Sequence, residues 1–143
     1  MGAFDIFKIS ASGMKAQRAR MDIVASNLAN VQTTSTEEGG PYRKKDVVFK
    51  AVDVSDDKTF SGTLSKKVEG VNVETVKESD KPFQIVYNPS HPDANSEGYV
   101  TFPNVNLMEE MTDMTAATRA YEANVNVLST TKDMFLKTLE LIK

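Results

Sequence analysis

Residues 106–142 read NLMEEMTDMTAATRAYEANVNVLSTTKDMFLKTLELI, a stretch with neither glycine nor proline. With Met111 as the first position of a seven-residue repeat, the a and d positions are Met111, Met114, Thr118, Tyr121, Val125, Leu128, Lys132, Phe135, Leu139 and Ile142. Eight of these ten are apolar, Tyr121 included, so the period of a coiled-coil seam runs through the whole segment. One uninterrupted helix here spans about 55 Å. Pro103 precedes it, Asn104 or Asn106 is placed to cap it, and Glu109, Glu110 and Asp113 suit the positive end of its dipole.

The opposite end of the chain carries the same pattern. Counting from Phe4, the a/d positions are Phe4, Phe7, Ala11, Met14, Arg18, Met21, Ala25 and Leu28, apolar except for Arg18. A helix to about Asn30 spans roughly 40 Å. Gly13 lies off this seam and points to a close backbone approach. Arg18, set into the seam, needs a carboxylate such as Glu122 or Asp113. The side-chain amides of Asn27 and Asn30 are placed to satisfy carbonyls left open at the helix end.

All five prolines and five of the seven glycines fall between Thr33 and Asn104. The expected organisation is therefore a helix in 1–32, a β-rich insert in 33–104 and a helix in 105–143, forming one elongated α+β unit. The helices are expected to pair antiparallel. Within the insert, 45–54, 70–77 and 83–87 alternate like strands. The first two are expected to pair as a hairpin, with 55–67 as its connection. Residues 98–103 form a short extended approach to the second helix, and the strands are expected to close a small sheet at the base of the helices.

A second apolar stripe runs along each helix. Ile9, Ala16 and Ile23 lie away from the first seam, and Ala120, Val127, Met134 and Leu141 lie away from the second. A helix that is apolar on two sides is buried on two sides. Either the insert folds back over these stripes or other chains cover them.

The chemistry expected of an enzyme is missing. There is no cysteine and a single histidine, His91, among turn residues, which excludes thiolate sites, disulfides and two-histidine metal sites. Asp56-Asp57 and Glu109-Glu110…Asp113 lack calcium-loop spacing. Gly39-Gly40 lacks the lysine of a phosphate loop. Arg43-Lys44-Lys45 reads as a solvated strand entry or a subunit salt bridge. A net charge of −3 argues against binding nucleic acid through its phosphates. No basic segment followed by an apolar one marks a cleavable signal, and no 18-residue apolar run marks a membrane span. Two classes remain, a subunit built to be stacked and a non-polymerising coiled-coil adaptor or export chaperone.

Residues 10–31, SASGMKAQRARMDIVASNLANV, resemble the N-terminal signature of bacterial flagellar rod and hook proteins, with Ser26-Asn27-Leu28-Ala29-Asn30 as its hallmark. Glu110–Met114 and Arg119–Val125 resemble the C-terminal signature of that family. Residues 38–49 and 98–106 are similar to the proximal rod members. The resemblance implies a structural protein of the proximal rod in the periplasm, exported without a cleaved signal through the flagellar type III apparatus. It implies helical assembly with itself and other rod proteins into the wall of a drive shaft and export channel. It also implies contact with the basal-body adaptor, and no cofactor, metal, nucleic acid, small-molecule substrate or direct membrane insertion. Carried onto this chain, the packing positions are Gly13, Met14, Arg18, Met21, Asn27, Asn30, Met111, Met114, Arg119, Tyr121, Asn124 and Val125. The stripe residues Ile9, Ala16, Ile23, Val127, Met134 and Leu141 join them as expected assembly contacts.

Overall fold

The computed structural model describes residues 3–37, 39–53 and 69–141; Ile142, the Phe4 side chain and the connection 55–67 lie outside the described residues. In chain order the elements are α1 (Ala3–Ala29), β1 (Lys45–Asp53), β2 (Glu69–Glu78), β3 (Gln84–Tyr87), β4 (Tyr99–Phe102) and α2 (Leu107–Glu140). This is the expected α+β arrangement of two long terminal helices around a small β region.

Side-chain amides close the helices where the chain faces each other element. Asn30 Nδ2 donates to the Ser26 carbonyl at 2.9 Å, and Thr33 Oγ1 donates to Asn30 Oδ1 at 3.1 Å. A carbonyl of the last turn of α1 is thereby satisfied. At the start of α2, Asn106 is the cap, its Oδ1 accepting from the Met108 amide at 3.0 Å. Asn104, the other candidate, is used elsewhere.

The helices run antiparallel. Phe7 meets Phe135 with ring centroids 6.2 Å apart, the Met21 sulfur lies 3.6 Å from Thr118 Oγ1, and Arg20 reaches Asp113 at 3.5 Å. A Cβ on Gly13 would stand 3.0 Å from Asn124 Nδ2, so glycine permits the close approach the sequence suggested. The seam itself is turned by one residue from the expected one. The d positions Phe7, Met14, Met21, Leu28, Met114, Tyr121 and Leu128 are half-buried, but Ala11, Arg18, Ala25, Met111, Thr118, Val125, Lys132 and Leu139 are exposed. Ser10, Gln17 and Val24 on α1, and Glu110, Ala117, Asn124 and Thr131 on α2, take their place inside. Small and polar side chains let the two backbones approach, and a count of hydrophobic residues passes over them. Arg18 therefore needs no buried carboxylate. Arg20 is the residue that meets Asp113, in a pair about 40% exposed on each side and worth at most about 1 kcal/mol.

The strands form two separate two-stranded antiparallel sheets, β1–β2 and β3–β4, where one sheet at the helix base was expected. The register of β1–β2 slips between Val48 and Phe49 and leaves Glu74 as an extra residue, a bulge that increases local twist. This hairpin lies along α1. Lys45 is held at Asn27, and the Val71 amide donates to Ser12 Oγ at 3.2 Å. The α1 stripe is thus met by the chain's own insert, with Ala16 buried and Ile9 and Ile23 half-buried. Among the described elements, no strand packs against α2.

Six apolar side chains are buried among the described residues: Ala16, Val24, Val100, Pro103, Val105 and Ala117. Five of the six are alanine or lie in the insert's return to α2, so the core is thin. In the β3–β4 hairpin, Gly98 has φ +82°, and a Cβ there would meet the Tyr87 ring at 2.9 Å and Pro89 at 3.2 Å. Replacing Gly98→Ala is expected to destabilise the fold by about 1–3 kcal/mol through this strain. Urea unfolding of the variant beside the parent chain measures it.

Candidate assembly site

The segment Tyr42-Arg43-Lys44-Lys45 enters β1 beside the last turns of α1 and the first turn of α2. Asn27 organises this junction. Its Oδ1 accepts from the Lys45 amide at 2.9 Å and its Nδ2 donates to the Lys45 carbonyl at 2.8 Å, pairing with both backbone groups as a neighbouring strand would. The same Oδ1 accepts from the Tyr42 hydroxyl at 3.0 Å, and the same Nδ2 donates to Glu110 Oε2 at 3.0 Å. Every donor and acceptor of the amide is used.

Glu110 and Lys44 complete the cluster. Glu110 is 1% exposed, and the Lys44 ammonium stands 2.7 Å from its Oε1. Around them, the Lys44 amide donates to Asn104 Oδ1 at 2.8 Å and the Lys44 carbonyl accepts from the Ser79 amide at 2.8 Å. Asn104 Nδ2 in turn donates to the Lys81 carbonyl at 2.9 Å. Arg43 donates to the Ser79 carbonyl at 2.9 Å and lies 4.4 Å over the Phe83 ring. One connected network thus ties the end of α1, the entry to β1, the exit from β2, the approach to α2 and the first turn of α2.

Burial pushes the Lys44 pKa down. The hydrogen bond to Glu110 and the Glu110 charge, with smaller contributions from Asp46 and Glu109, outweigh it and hold the pKa above the ordinary 10.5. A raised folded-state pKa stabilises the fold in full below the unfolded value and loses that contribution as pH rises through the folded value. The Lys44 charge is therefore in place at neutral pH, and its stabilising contribution is lost as pH rises above 10.5.

Lys44 and Glu110 were not among the expected assembly residues; from the sequence the first read as part of a solvated strand entry or a subunit salt bridge, and the second as a helix N-terminus. The available signal was position: Glu110, unlike Glu109, falls seven residues before Ala117 and fourteen before Asn124, on one side of the helix. Of the residues expected to make assembly contacts, Asn27 and Ala16 are buried within the chain. Ile9, Gly13, Met14, Met21, Ile23, Asn30, Met114, Tyr121 and Asn124 are half-buried. Arg18, Met111, Arg119, Val125, Val127, Met134 and Leu141 face outward. His91, which the sequence places among turn residues, is half-buried; its ring lies 6.0 Å from that of Phe102, and its Nδ1 accepts from the Asp93 amide at 3.2 Å. Among the described residues no cluster of three or more His, Cys, Asp or Glu side chains is placed to hold a metal ion.

A helix pair with outward apolar faces and an internal polar network is the form of a structural subunit, and the comparisons with known proteins give its class. Residues 7–35 match the family described as flagella basal body rod protein, and 96–141 match the C-terminal family of flagellar basal body rod FlgEFG proteins. These matches cover α1 from Phe7 onward and all of α2, and they include the quoted stretches 10–31, 98–106, 110–114 and 119–125 but not 38–49. The chain is 44% identical to the flagellar basal-body rod protein FlgC of Bacillus subtilis, over the full length of both chains. It is 38% identical to FlgC of Borreliella burgdorferi, over 100% of this chain and 99% of the relative. It is 42% identical to FlgC of Salmonella typhimurium, over 99% and 98% respectively. The chain belongs to the FlgC family of flagellar basal-body rod proteins.

Removing either partner of the buried pair, as in Lys44→Met or Glu110→Leu, strands the other charge and is expected to cost about 3–5 kcal/mol. The double variant Lys44→Met with Glu110→Leu is expected to cost much less than the sum of its single changes. Denaturant unfolding of the four proteins in this cycle measures the coupling. Additive losses would show that the two charges do not act as a pair. The stability of the parent chain is also expected to fall more steeply above pH 10.5 than that of the double variant.

Proposed function

We propose that this chain is a structural subunit of the proximal rod in the flagellar basal body, assembling helically with its own copies and with other rod proteins. In this reading it forms part of the wall of the drive shaft and of the channel within it. It occupies the periplasmic rod after export without a cleaved signal, and it contacts the basal-body adaptor. The family membership supports the rod location, and the surface of α2 supports the assembly.

The observation that carries the reading is how little of α2 its own chain covers. Of its 34 residues, Glu110 and Ala117 are buried. Met108, Met111, Val125, Leu136 and Leu139 stand exposed along one outward stripe, and Leu141 is 87% exposed at the helix end. Large apolar side chains left exposed along one helix face, here interleaved with Thr118, Glu122 and Lys132, suit a protein interaction site. Two unlike surfaces that meet head to tail without closing a ring build a helical array.

The paired change Val125→Glu with Leu139→Glu places charges on this stripe and leaves the buried network untouched. Sedimentation is expected to show loss of self-association and of association with other rod proteins, while circular dichroism keeps the helical signal. Association unchanged by the two charges would contradict the reading. A parent chain that stays monomeric at high concentration and binds single partners would favour the adaptor class.

A further inference from the structure

Between Asp5 and Ala29 the exposed residues of α1 are Lys8, Ala11, Lys15, Arg18, Asp22, Ala25 and Ala29, and all the others are buried or half-buried. They are spaced alternately by threes and fours, the period of a helix seam, so they form one outward line. The line holds three alanines, three cations and one anion, with no large apolar side chain. The outward line of α2 has the opposite character. It presents Met108, Met111 and Val125 at the same period and carries Glu122 next to Val125.

The two lines match in one register. Copies that stand side by side and point the same way bring α1 of one against α2 of the next in antiparallel sense, because the helices within each chain are antiparallel. With Lys15 set opposite Glu122, Ala11 faces Val125, Ala25 faces Met111 and Ala29 faces Met108. The pairs between them are Lys8–Ser129, Arg18–Thr118 and Asp22–Thr115, and Lys132 falls opposite Asp5. None of these pairs is like-charged. Each of the three large side chains meets an alanine, which lets two helices approach closely. Sliding α2 by three residues sets Lys132 against Lys8, and sliding it by seven sets Glu122 against Asp22. Sliding it four residues the other way leaves Asp22 on Met111 and Lys8 on Val125. Arg119, beside the α2 line, has Glu122 one turn away on its own helix. Leu136 and Leu139 extend past Lys8 and are not covered by this contact.

We propose that the outward face of α1 receives the α2 stripe of a second copy of this chain, antiparallel and with Lys15 at Glu122. This rests on the assembly reading and names the partner of its α2 surface. One chain carries both halves of the contact, so the contact repeats head to tail from copy to copy.

Charge reversal tests the register, and the residues changed are exposed, so the circular dichroism is expected to stay the same. In sedimentation velocity, Lys15→Glu and Glu122→Lys are each expected to weaken self-association several-fold. An equimolar mixture of the two variants restores it, because every contact between unlike copies again joins opposite charges. Exchanging sizes gives a second reading. Ala25→Met and Met111→Ala each weaken association, and the double variant regains most of the loss. A parent that self-associates while both reversals leave it unchanged, or reversals that weaken it without rescue in the mixture, would overturn this contact and leave the assembly reading standing. A parent that shows no self-association overturns both.

Discussion

The ion pair between Lys44 and Glu110, with Asn27 bonded to both the β1 entry and Glu110, is the constraint on which the rest of this structure depends. Six buried apolar side chains do not define the relative placement of two helices and two hairpins. The polar network does, because each of its groups has a geometric requirement that a methyl group lacks. Asn27 accepts and donates only where Lys45 presents both backbone groups, and Glu110 is tolerable inside only where Lys44 and Asn27 reach it. Burying the two charges costs several kcal/mol per ion before their attraction is counted. The return is a fixed junction between the insert and the helices, more than raw stability.

From that junction the two helices serve different purposes. α1 is held between α2 on one side and the β1–β2 hairpin on another, and its outward residues include Ala11, Arg18 and Ala25. α2 touches α1 alone among the described elements, and it leaves large apolar side chains in solvent from Met108 to Leu141. A protein that works as a monomer rarely keeps such a surface. Under the proposed assembly this surface would be the interface, presented at an angle that the junction sets.

Much of the fold was legible because periodicity is a strong signal over long stretches. The two helices, the four strands, the antiparallel pairing of β1 with β2 and the Asn-rich close of α1 all follow from residue patterns. The seam was read one position away from its place for a physical reason. Met111, Val125 and Leu139 are apolar although they face outward, while Ser10, Gln17, Asn124 and Glu110 face inward although they are polar. A pattern that scores hydrophobicity assigns the interior to the apolar set, whichever partner those residues face. The buried network stayed hidden because its members are 60 to 83 residues apart in pairs such as Lys44–Asn104 and Asn27–Glu110. No local pattern joins them. That the insert folds back over the α1 stripe was one of two readings the sequence left open, and contacts of this kind decide it.

The most direct measurement is native-state hydrogen exchange on the dilute chain, resolved by residue. If the junction holds the fold, amides at Lys44, Lys45 and the first turns of α2 exchange only through global unfolding. Those of α2 beyond Val127, where its own chain covers it least, then exchange faster and slow on assembly. Uniform protection along α2, or slowest exchange at its far end, would contradict the account.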